Sequence, residues 1–175
     1  GGVTMNNGSR VEGNLFTTGS IAGSGTITGD ATVAMGTDPV ANQQWTSQNN
    51  SFSVGDISAN ANVAQSFKPT VSASLANVSL NMKKTGNPGD ITIKIVTDNN
   101  GKPSKTVLAS GTIPASLITT TYGFADTTLD STPALAADQT YWIIAISAVN
   151  ASNYFIWGRD SNGGYSRGAA KYSNN

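Results

Sequence analysis

The sequence predicts an all-β protein: a jelly-roll-like antiparallel β-sandwich preceded by a short β-strand or β-helix-like extension. Three observations carry this. Apolar and polar residues alternate in several short runs after Val63. Clusters of Gly, Asn, Asp and Pro separate those runs. The chain opens on a six-residue repeat, and no window shows the spacing of an amphipathic helix.

The repeat comes first. Leu15, Ile21, Ile27 and Val33 recur every six residues, each two places after Gly13, Gly19, Gly25 and Ala31. A small residue permits a turn, and the aliphatic residue two places later fills a narrow core, as in a β-helix coil. The competing reading is a pair of Gly-punctuated hairpins. Four hexads make little more than one coil, and solenoids need about three stacked repeats to bury a core. The segment is therefore expected to lean on another surface. Residues 37–62 are polar and irregular, a connection holding one short strand, with Trp45 and Phe52 as isolated anchors.

Strands then follow one another. Val78, Leu80 and Met82 alternate with Asn77, Ser79 and Asn81, and Ile91, Ile93 and Ile95 alternate with Thr92 and Lys94. Asp98-Asn99-Asn100-Gly101 is a turn, because Asn-Gly accepts positive φ at low cost. Strands are expected over 107–113 and 122–129, the second with Tyr122, Phe124 and Leu129 toward the core. Tyr141 to Ile146 is continuously apolar, the pattern of a central strand covered on both faces. Tyr154 to Gly158 and Tyr165 to Tyr172 supply the last strands.

Composition narrows function by exclusion. The chain has 175 residues, ten basic and ten acidic, and 11% charged residues. Such a chain lacks the basic face that nucleic acid requires. Histidine and cysteine are both absent, which removes a Ser-His-Asp triad, a thiol nucleophile, disulfides and thiolate metal sites. The ten carboxylates sit mostly in turn contexts, so the chain is expected not to be an enzyme and to need no cofactor. The longest apolar stretch, Tyr141 to Ala148, is too short to span a membrane. Gly1-Gly2 opens the chain without a basic and apolar leader, which reads as a processed product.

Few residues stand out as sites. Val3, Met5, Val11, Leu15, Ile21, Ile27 and Val33 are the apolar positions through which the N-terminal segment would assemble with copies of itself. Tyr154, Trp157, Asp160, Asn162 and Tyr165 cluster near the C-terminus and could offer aromatic faces and polar partners to a surface glycan; core packing and turn formation explain them as well. Asp98 is a weak calcium candidate whose loop spacing does not match an EF-hand. Asn7, Asn49, Asn77 and Asn150 head glycosylation sequons.

The stretches VAQSFKP, LANVSLNMKKTGNPGDITIKIVTDNNGKPSKTVLASGTI, LAADQTYWIIAI and NYFIWGRDSNGGYSRGAAKYS resemble, in order and spacing, the choice-of-anchor R type domain of bacterial surface proteins. The hexads before them look like the bactofilin-like coils that precede such modules. The resemblance implies a jelly-roll sandwich, export, and no catalytic residues. Domains of this type continue past the KYS segment into one more apolar strand, whereas this chain stops at Asn175. The expectation is a sandwich lacking one strand, filled by donation from a neighbouring copy or from its own chain.

The division expected is therefore a hexad segment over 1–36, a connection over 37–62 and a sandwich over 63–175. The function expected is a structural subunit of an extracellular filament, pilus or cell-surface assembly. It would polymerise through the N-terminal segment, with donor-strand complementation as one route. The alternative is a carbohydrate-binding adhesion module.

Overall fold

A computed structural model describes residues 3–12, 15–17, 21–24, 26–28, 31–33 and 42–172. The chain divides into two compact units, Gly1–Ala41 and Asn42–Asn175.

The first unit holds six short strands: β1 (Val3–Met5), β2 (Arg10–Val11), β3 (Leu15–Thr17), β4 (Ile21–Gly23), β5 (Thr26–Ile27) and β6 (Ala31–Val33). Strands β1, β2 and β3 each pair in parallel with the strand three places on. Val3 lies opposite Ile21, Arg10 opposite Thr26 and Leu15 opposite Ala31. Hairpins would give antiparallel neighbours in sequence; parallel pairing at every third strand is a three-sided coil with one turn laid on the next. The hexads are thus the sides of a β-helix, three to a turn. Leu15, Ile21, Ile27 and Val33 each fall in a strand, but the direction of their side chains, and the turn positions Gly13, Gly19 and Gly25, lie outside the described residues.

The second unit is an antiparallel β-sandwich. Its strands are β7 (Asn50–Val54), β8 (Asn62–Phe67), β9 (Ala73–Ser74), β10 (Asn77–Thr85), β11 (Ile91–Asp98), β12 (Pro103–Ile113), β13 (Gly123–Thr128), β14 (Ala134–Leu135), β15 (Tyr141–Ile146), β16 (Tyr154–Arg159) and β17 (Ala170–Tyr172). One sheet has the order β13-β10-β16-β7 and the other β12-β11-β15-β8-β17, while β9 and β14 form a separate small ladder. The pairings nest: β11 with β12, then β10 with β13, β8 with β15 and β7 with β16. A long hairpin doubled over and wrapped into two sheets gives this order, which is the jelly roll. Its tip is the predicted turn, where Asn100 and Gly101 adopt φ of 52° and 76°.

The core lies between the sheets. Val78, Leu80, Met82, Phe155 and Trp157 face Ile91, Ile93, Ile95, Ile113 and Ala145. Period-two alternation put the β10 and β11 residues there. Strand β15 is central, as its continuous apolar run predicts: Ala145 joins the main core, and Trp142 packs with Val96, Ala64 and Ile144 in a second cluster on the opposite face. Gly111 lets the two sheets meet at one corner. A Cβ there would lie 2.6 Å from Thr127 Oγ1 and 2.7 Å from the Thr128 carbonyl oxygen.

Two expectations are corrected. The connection read over 37–62 contains β7, which pairs with β16 through Phe52 and Trp157, so the sandwich unit starts at Asn42 rather than Val63. The eight jelly-roll positions are all filled from this one chain, with β7 as the first strand and β17 added beside β8. In the strand over 122–129, Leu129 lies in the core as expected, but Phe124 does not: Ala125 and Thr127 share the inward face with Leu129 and Phe124 is 56% exposed, because successive residues of a strand alternate faces.

Candidate functional site

The coil is built by backbone groups. Ser24 N–H donates to the Met5 carbonyl at 3.0 Å, Thr26 N–H to Ser9 at 2.9 Å and Thr28 N–H to Val11 at 3.0 Å. Met5 is buried, while Val3 and Val11 are half-buried. The fit is tight at one point. Gly23 has φ of 107°, and a Cβ on it would sit 1.8 Å from the Met5 carbonyl oxygen. Only glycine permits that approach. Among the described residues, β1, β2 and β3 pair with β4, β5 and β6, and no further pairing is described for either turn.

The C-terminal cluster divides between core and turn, as the competing reading had it. Trp157 is 7% exposed and belongs to the core, where it lies opposite Phe52 and Met82, so it offers no face to a ligand. Tyr154 is half-buried in β16. Asp160 organises the turn after β16. Its Oδ1 accepts the Asn162 N–H at 2.8 Å and Asn49 Nδ2–H at 3.1 Å, and Oδ2 accepts the Gly164 N–H at 3.2 Å. Asn49 in turn accepts Ser161 N–H and Oγ–H at 2.8 and 2.9 Å. Asn162 is exposed beside them.

Tyr165 meets a residue that sequence reasoning left as an isolated anchor. Its ring lies 6.1 Å from that of Trp45 at a tilt of 50°. Its hydroxyl donates to Gln43 Oε1 at 3.1 Å, and burial raises its phenol above the usual tyrosine range. Trp45 is 43% exposed and rests on Gly164. The signal for Trp45 was its setting, a lone indole within Asn42-Gln43-Gln44-Trp45-Thr46, where no alternating pattern points it inward.

The remaining sites are placed as follows. Asp98 Oδ1 accepts Trp142 Nε1–H at 2.7 Å and Oδ2 accepts the Gly101 N–H at 3.0 Å, so its carboxylate closes a turn. The Gly101 N–H, then the Trp142 indole, hold that carboxyl below the usual aspartate range. No group of three or more His, Cys, Asp or Glu gathers among the described residues. Asn7 and Asn77 are exposed; the Asn49 amide is engaged by Asp160, and Asn150 Oδ1 accepts the N–H groups of Ser152 and Asn153 at 2.9 and 3.1 Å. No helix among the described residues is long and apolar enough to cross a membrane.

No family model matches the chain, and no curated protein matches it. The family resemblance drawn from its sequence stands on the quoted stretches alone.

Proposed function

We propose that this protein is a structural subunit of an extracellular filament or cell-surface assembly, and that copies join by stacking their N-terminal coils end to end. The observation that supports this is the two-turn parallel coil, whose described strands pair only within the coil. A parallel ladder is built by translation. The operation that lays the second turn on the first also lays the first turn of a neighbouring copy on the second. Such head-to-tail contact does not close on itself and gives a filament. A zero formal net charge lowers the repulsion between copies.

Coil stacking is favoured over donor-strand exchange because the eight jelly-roll positions are already occupied by this chain. The reading assigns the protein no catalysis, in keeping with a sequence free of His and Cys.

Negative-stain microscopy of the purified protein tests it. The expected result is filaments whose amount rises with concentration. Gly23→Val should abolish them while leaving the melting of the sandwich unchanged. Monomers persisting at high concentration would sink the proposal.

A further inference from the structure

We propose that Trp45, with the Asp160–Gly164 turn beneath it, forms a saccharide-binding platform. The ring is held in place from behind. A Cβ on Gly164 would lie 2.4 Å from Trp45 Cζ2 and 2.7 Å from Asp160 Oδ2, so the indole and the carboxylate flank the same glycine. Tyr165 props the indole from the side at 6.1 Å, and its own hydroxyl is fixed by Gln43. Trp45 stays open to solvent; at 43% exposure it is the one tryptophan of three that is not buried.

The polar groups beside the ring suit hydroxyls. Asp160 forms no ion pair among the described residues. Its Oδ2 accepts one long bond, from Gly164 at 3.2 Å, and has a lone pair to spare. A carboxylate of this kind takes a charge-assisted bond from a ligand O–H. The exposed Asn162 amide adds a donor and an acceptor on the same turn. A sugar ring presents an apolar C–H face ringed by hydroxyls, which matches an indole edged by carboxylate and amide. The cross-links from Asn49 to Asp160 and Ser161 keep the turn rigid, so little ordering is lost on binding. Two tilted rings fall short of the cage that encloses a quaternary ammonium.

Acrylamide quenching reads this site directly, since Trp142 and Trp157 are 2% and 7% exposed. Quenching would be measured with mannan, xylan, laminarin or N-acetylglucosamine oligomers added, and with tetramethylammonium as the cationic comparison. The expected result is concentration-dependent protection by at least one saccharide. Trp45→Phe should remove the quenchable signal. Asp160→Asn, which keeps the Oδ1 acceptor for Asn162 and Asn49 and gives up the long bond from Gly164, should weaken protection by about tenfold, the loss of one charged hydrogen bond. Repeating the titration on Gly23→Val separates the result from assembly. Absence of protection by all four saccharides, unchanged protection in Asp160→Asn, or protection by tetramethylammonium alone would each overturn the proposal.

Discussion

Trp142 donates its indole N–H to Asp98 over 2.7 Å, joining central strand β15 to the tip of the β11–β12 hairpin. Trp142 is 2% exposed, so removing its acceptor leaves a buried donor unpaired. Asp98→Ala should cost about 1–3 kcal/mol in urea unfolding followed by circular dichroism. The same carboxylate gives a pH dependence. Its folded pKa is lowered by Gly101 and Trp142, so its stabilisation is in place above the ordinary aspartate value and drains as pH falls through the folded one. The urea midpoint should drop below about pH 4, and Asp98→Asn should flatten that drop.

The corner at Gly111 should not tolerate a side chain. Val at this position would press on Thr127 Oγ1 and on the Thr128 carbonyl, and the latter is backbone that cannot rotate away. Gly111→Val should destabilise the sandwich by about 1–3 kcal/mol, read as a lowered melting temperature.

Phe155 is fully buried and lies opposite Val54 and Lys84 across two strand pairs. Phe155→Ala should cost about 3–5 kcal/mol. Phe124→Ser, on the outer face of β13, should change stability by less than about 0.5 kcal/mol. Equal losses for the two in denaturant titrations would contradict the register described for β13 and β16.

The sequence carried the jelly roll wherever one face of a strand is apolar. Val78, Leu80 and Met82, and then Ile91, Ile93 and Ile95, alternate cleanly and all lie in the core. The coil was legible for a similar reason, as the hexad period matches one side of the triangle. Strand β7 was legible only as one short strand in a connection and not as part of the sandwich, because Asn50, Ser51 and Ser53 read as loop and only Phe52 and Val54 are buried. The aromatic residues were harder still. Trp157 shares a face with Phe155 by parity and is buried with it, whereas the exposed Trp45 gains its neighbours from residues more than a hundred positions later. Such pairings depend on chain topology, which no local pattern encodes.

The nested hairpin also sets an order of events. Strands β11 and β12 meet across a short turn, while Phe52 must wait for Trp157, the outermost pairing in the jelly roll. Closing the longer loops carries the larger entropy cost, so the tip forms early and the first strand locks last. A chain still emerging from a ribosome holds β7 without its partner until β16 has been made. The outermost pairing of the sandwich therefore completes only after nearly the whole unit has been made.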